Sequence, residues 1–232
     1  MPSPPAQQQP PPPQPDPQPA STTSSPEAFL DSLIPSLLSM DVDGRVLRLD
    51  SFSKVVVPGS RLGWVTGSEQ IIERFVRHAE VCNQGPAGFS QVVLHKLLDE
   101  TWGHDGYLRW LMNLRHEYTQ RRDAMLAACE AHLPKEVVSW NVPLAGMFHW
   151  LRVDHTRHPD ASRRGILDIE EDIFNLCLDK GVLVARGSWF RAERDKEPSD
   201  LFFRATFAAA TPENMTEAIR RFGAAVRQSF RM

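Results

Sequence analysis

From about Asp105 to His132 the apolar residues Leu108, Leu111, Met112, Leu114, Tyr118, Met125 and Leu126 recur at helical spacing. This predicts one helix, ending near Pro134, long enough to bridge two parts of a molecule and to hold a domain boundary within it. Short β-rich runs and helical periods alternate on its N-terminal side. Val46–Leu49 and Leu62–Thr66 read as strands, Ser68 as the N-cap of a helix, and Gln91–Leu98 as helical. On its C-terminal side Val137–Trp140, Gly146–Val153, Val182–Ala185 and Leu201–Phe207 read as strands. Asp168–Glu171 reads as an Asp/Glu variant of the capping box, starting a helix that ends at Gly181. Thr211 followed by Pro212 opens a last helix running to about Gln228. The pattern predicts a mixed α/β chain, with one domain portion over 27–120 and a second over 121–232.

Residues 1–26 stand outside that pattern, because eleven prolines and five glutamines leave no aliphatic side chain larger than alanine to bury. They read as a tail or linker, with a polyproline ligand for an adaptor domain as the functional alternative. The remainder has ordinary globular usage, with 41% hydrophobic and 24% charged residues over the whole chain of 232. Net charge is −3 and the basic residues are scattered, which gives no electrostatic footprint for nucleic acid or a membrane surface. Small-molecule chemistry is the better expectation. Cys82, Cys129 and Cys177 are odd in number and form no CxxC, which argues against a disulfide framework or a zinc site and points to a reducing compartment, the cytoplasm. No apolar run approaches the ~20 residues of a membrane span, and the N-terminus lacks a signal-peptide pattern. His149, His155 and His158 include an HxxH pair, but Pro159 follows directly and no carboxylate or cysteine stands at ligand spacing, so no metal is expected.

The sharpest local feature is Ser51-Phe52-Ser53-Lys54, followed after a Pro58-Gly59 turn by Arg61-Leu62-Gly63-Trp64. Two hydroxyls and a guanidinium form a donor set for phosphate oxygens, the arginine with charge-assisted and potentially bidentate bonds. A lysine beside them is free for covalent work. An amine forms a Schiff base with a carbonyl only when deprotonated, and a fixed neighbouring cation favours that state. An exposed lysine after a strand with an arginine in a surface turn is the plainer reading of those two residues by themselves.

The whole run, Ser-Phe-Ser-Lys, six residues, then Arg-Leu-Gly-Trp, resembles the cofactor-lysine motif of class I/II aminotransferases of the pyridoxal-phosphate (PLP) dependent fold type I. It is most similar to the fungal aromatic amino acid, kynurenine and 2-aminoadipate group. The lysine-to-arginine spacing of seven is that of this group and of the aminotransferase-like regulators, not the spacing of eight in aspartate aminotransferases. Gly85–Gln91, Pro143–Trp150, Phe203-Arg204-Ala-Thr-Phe207 and Thr211–Met215 resemble further family segments in the same order, from about residue 28 to 230. The resemblance implies the C-terminal part of a large α/β domain followed by a small α+β domain. It implies that Lys54 holds PLP and shuttles the substrate α-proton, that Ser51, Ser53 and Arg61 bind the phosphate, and that Arg204 clamps the substrate carboxylate. The implied partners are an L-amino acid, a 2-oxo acid and a second copy of the chain. Gly187–Phe190 resembles a loop near the substrate side chain, with Trp189 and Phe190 equally readable as packing residues.

The family also uses, upstream of its lysine, an aspartate on the pyridinium nitrogen, an asparagine and tyrosine near the ring oxygen, and a Gly/Ser-rich helix start. The 53 residues before Lys54 offer only Asp16, Asp31, Asp41, Asp43 and Asp50, without a strand-helix framework around them. A truncated chain with little activity by itself is therefore expected, because the ring-nitrogen carboxylate tunes the cofactor as an electron sink. Two other classes fit parts of the pattern. One is a non-catalytic remnant or interaction module; the other is a PLP-sensing regulator domain, which needs a basic helix-turn-helix that the first 45 residues do not contain.

Overall fold

The computed structural model describes residues 25–232, so the Pro/Gln-rich reading of 1–26 lies almost wholly outside the described residues. The chain divides into two compact units between Leu114 and Arg115.

The first unit opens with α1 (Pro26–Asp31), capped by Ser25, whose Oγ accepts the Ala28 N–H at 3.2 Å. The Asp41 carboxylate then gathers the backbone N–H groups of Asp43, Arg45 and Val46, at 3.2, 3.1 and 2.8 Å. That turn consumes the Val46 amide, so the strand expected at Val46–Leu49 begins two residues later, as β1 (Arg48–Ser51). β1 pairs antiparallel with β2 (Gly63–Thr66), placing Ser51 opposite Gly63 and Asp50 opposite Trp64. Only glycine fits there: a Cβ on residue 63 would lie 2.4 Å from the Asp50 carbonyl oxygen. Helix α2 (Glu69–Cys82) follows Ser68 as expected, although the Ser68 hydroxyl makes no capping bond. Helix α3 (Gly88–His95) begins three residues before the expected Gln91 and passes into a π-helical turn, Lys96–Trp102. Gly103, at φ +59°, then turns the chain into the long helix α4 (Gly103–His132).

The second unit is a four-stranded antiparallel sheet in the order β3-β4-β6-β5, from β3 (Val138–Trp140), β4 (Phe148–Val153), β5 (Ala185–Arg186) and β6 (Leu201–Thr206). Helices α5 (Ile166–Asp179) and α6 (Pro212–Phe230) bury one face of it. Strand period two sorts the side chains: Leu151, Val153, Leu201 and Phe203 enter the core, whereas Phe148 and Trp150 stay partly exposed. Ile169, Ile173 and Cys177 of α5 and Phe222 and Val226 of α6 are fully buried at helical spacing. Each large core side chain removed from water contributes roughly 1.5–3 kcal/mol.

Two further boundaries, both in the second unit, differ from the sequence reading for a visible reason. Helix α5 starts at Ile166, because Asp168 is its third residue and reaches back to the Gly165 N–H at 3.3 Å; it is not the N-cap. The strand expected at Val182–Ala185 shrinks to Ala185–Arg186, because the Val182 N–H donates to the Cys177 carbonyl at 2.9 Å and closes the helix end. The last helix starts as expected, with Thr211 Oγ1 accepting the Asn214 N–H at 3.4 Å and Pro212 in the first turn. No helix among the described residues is long and apolar enough to cross a membrane.

Candidate active site

At the end of β1 the chain tightens into a 3₁₀ turn, Phe52–Lys54. Ser51 Oγ accepts the Ser53 N–H at 3.1 Å, which caps the turn and sets both hydroxyls on one side. The hydroxyls are linked to each other, Ser51 Oγ donating to Ser53 Oγ at 2.9 Å. Phe52 fixes the turn from within: its carbonyl accepts the N–H groups of Val55, Val56 and Val57, and its ring lies 4.8 Å from that of Trp64. Arg61 follows the Pro58–Ser60 turn in the left-handed region, φ 48° and ψ 37°, a conformation unusual for a residue with a Cβ. It brings the guanidinium back across the turn, where Nη1 donates to Ser53 Oγ at 3.2 Å and to the Pro58 carbonyl at 3.0 Å. Ser51, Ser53 and Arg61 thus form one linked set of donors beside Lys54. Lys54 itself is exposed.

Arg204 belongs to the second unit, in the middle of β6, opposite Trp150 of β4 on one side and Ala185 of β5 on the other. Its guanidinium carbon lies 4.0 Å from the centre of the Phe148 ring and 3.9 Å from that of Phe190. No carboxylate among the described residues pairs with it. Two rings thus flank a cation that has no ionic partner among the described residues, an arrangement that could receive a carboxylate. A cleft of about 340 Å³ opens beside it, lined by Phe148, Leu183, Ala185, Trp189, Arg204 and Thr206, among others. The two aromatics of Gly187–Phe190 separate in role: Phe190 covers Arg204, whereas Trp189 packs on Phe174, ring centres 5.4 Å apart, and lines the cleft.

The histidines do not converge. His149 points into the core with neither ring nitrogen partnered, and His158 Nε2 lies 3.1 Å from Ser229 Oγ. No group of three or more His, Cys, Asp or Glu side chains suited to a metal ion occurs among the described residues. Two residues, one beside each of these groups, escaped the sequence reading. Trp110 of α4 donates its indole N–H to the Val55 carbonyl at 2.6 Å, tying the helix to the residue after Lys54. Glu170 of α5 is buried and bonds the turn that carries Phe190. Its signal was present in the sequence, a carboxylate in line with the buried positions Ile173 and Cys177.

The family model for aminotransferase class I and II matches residues 20–222. An aromatic amino acid aminotransferase of Schizosaccharomyces pombe is 45% identical over 88% of this chain and 43% of its own length. The mitochondrial kynurenine/alpha-aminoadipate aminotransferase of Bos taurus is 36% identical over 84% of this chain and 43% of its own. Among solved structures, aminotransferase Aro8 from Candida albicans superposes with a TM-score of 0.85 at 42% identity, covering 90% of this chain and 45% of that one. The alpha-aminoadipate aminotransferase LysN of Thermus thermophilus, solved with N-(5'-phosphopyridoxyl)-L-leucine, gives a TM-score of 0.66 at 26% identity over 79% of this chain and 42% of that one. The chain spans less than half the length of these relatives and has the fold of part of a type I PLP-dependent transferase. It belongs to the aminotransferase class I and II family.

Proposed function

We propose that the chain supplies the cofactor lysine, part of the phosphate grip and the carboxylate arginine of a PLP-dependent aminotransferase. The reaction is amino-group transfer between an L-amino acid of the aromatic, kynurenine or 2-aminoadipate type and a 2-oxo acid. The observation that carries the reading is the linked set Ser51, Ser53 and Arg61 beside Lys54. Two hydroxyls and one guanidinium fit the phosphate of pyridoxal phosphate, and a primary amine fits its aldehyde. When bound, that cofactor supplies the electron-withdrawing ring that lets a substrate α-proton leave.

The residues of this chain do the rest. Lys54 Nζ would take the α-proton of the amino acid and pass it on to the cofactor, and would move a proton in the opposite sense for the oxo acid. Arg61 and the two serines hold the phosphate end still, so the position of the reacting carbon relative to Nζ is set before reaction. Arg204 grips the carboxylate that amino acid and oxo acid share, which serves both half-reactions with one group. In this reading residues 27–120 belong to the large domain and 121–232 to the small one, the protein works as a homodimer, and the free thiols of Cys82, Cys129 and Cys177 suit the cytoplasm.

The test is reductive trapping. Borohydride added to the chain with pyridoxal phosphate should place a pyridoxyl group on Lys54, located by peptide mapping. A label on Lys96, Lys135, Lys180 or Lys196 in its place would show that the assignment is wrong.

A further inference from the structure

Among the described residues Glu170 is the only buried carboxylate, 2% exposed in the middle of the face that α5 turns to the sheet. A carboxylate at that depth is costly unless it is fully bonded. Arg186 Nε donates to Oε2 at 2.9 Å, Ser188 Oγ donates to Oε2 at 2.5 Å, and the Ser188 N–H donates to Oε1 at 3.0 Å. All three donors come from one stretch, the end of β5 and the 3₁₀ turn Gly187–Phe190. The turn is also pressed against β6: a Cβ on residue 187 would lie 2.6 Å from the Phe202 carbonyl oxygen. It ends at Phe190, whose ring covers Arg204 and meets Trp150 edge-on at 5.6 Å.

We propose that Glu170 is the positioning residue for the carboxylate grip of Arg204. It anchors the 186–190 turn, the turn sets the Phe190 ring, and the ring holds the guanidinium plane at the angle a carboxylate must meet. The proposal rests on the reading of Arg204 as a carboxylate receptor. A free arginine samples many rotamers, and a bidentate bond requires one of them. Glu170 therefore acts on affinity without touching the ligand.

The experiment uses the 232-residue chain with 3-phenylpropanoate, an aromatic carboxylate that needs no cofactor. Binding is followed by calorimetry, and the Arg204 Nε–H resonance by NMR. Glu170→Gln keeps one acceptor oxygen for the turn but removes the negative charge that pairs with Arg186, and should weaken binding about tenfold while the Arg204 signal moves toward its solvent-exposed position. Ser188→Ala, which leaves the Glu170–Arg186 pair in place, should weaken binding about threefold and decides the matter if Glu170→Gln does not fold. Ile173→Val, a core change one turn along α5, should lower stability but leave binding within about twofold, which separates positioning from stability. A wild-type chain that binds no probe, or an Arg204→Ala variant that binds it unchanged, overturns the Arg204 reading and this proposal with it. Binding lost in Arg204→Ala but unchanged in Glu170→Gln and Ser188→Ala overturns the Glu170 proposal alone.

Discussion

At His149 a titratable ring sits 1% exposed on the core face of β4, with no hydrogen-bond partner and with Trp140 edge-on at 6.2 Å. Burial disfavours the imidazolium and lowers the pKa from 6.5 to about 4. Between those values the unfolded chain binds a proton that the folded chain refuses, so stability is full above pH 6.5 and is lost as pH falls toward 4. The loss reaches roughly 3 kcal/mol at the lower end. Thermal unfolding from pH 8 to 4 should show this slope, and His149→Phe should flatten it. An unchanged slope in the variant would assign the acid sensitivity to other groups. The residue scale also divides what was readable. Lys54, Ser51, Ser53 and Arg61 announce themselves by adjacent residue types, because their partners lie within ten positions. Trp110 and Glu170 act on residues 55 and 18 positions away, and only folding supplies those partners.

Among the elements, α6 depends on one small residue. A Cβ on Gly223 would lie 2.4 Å from the His132 carbonyl oxygen at the end of α4, so the two helices approach as closely as backbones allow. Gly223→Ala raises intrinsic helix propensity yet should destabilise the second unit by roughly 1–3 kcal/mol, through overpacking against a backbone atom that cannot move aside. Urea unfolding followed by Trp140 and Trp150 fluorescence measures it; a variant as stable as the parent would show that the helices slide apart at little cost. The element boundaries teach the same lesson. β1 starts late because the Asp41 carboxylate takes the Val46 amide, and β5 is short because the end of α5 takes the Val182 amide. Hydrophobic pattern locates an element, and competing acceptors set where its ladder begins.

For the molecule as a whole, the two units differ in how well they bury themselves. The second has a continuous core from Met125 to Phe230, whereas in the described part of the first the buried apolar residues are Phe29 and Leu94, and α2 buries none. Phe89 and Val81 are 90% and 82% exposed. The carboxylates of Asp41 and Asp50 are committed, the first to backbone amides and the second to Arg48, so neither is free for a pyridinium nitrogen. From these facts the 232-residue chain should show near-background transfer from phenylalanine, kynurenine or 2-aminoadipate to 2-oxoglutarate. Co-expression with the portion of its relatives that it does not span should raise the rate and suppress aggregation through the exposed faces. Robust turnover by the chain alone would show that Lys54, Arg61 and Arg204 suffice.

The amino-acid sequence by itself determined the alternation of strands and helices, the long helix between Asp105 and His132, the Lys54 motif and the family, because each is written in residues close together along the chain. Period and turn chemistry are local, and a linked donor set built on one tight turn is local too. Tertiary structure alone decided that Arg204 lies under Phe148 and Phe190, that His149 enters the core unpartnered, and that Glu170 holds the turn beside the arginine. Each of those joins residues from different strands and helices. Sheet order and helix packing bring such residues together, and neither is carried by any short stretch of sequence.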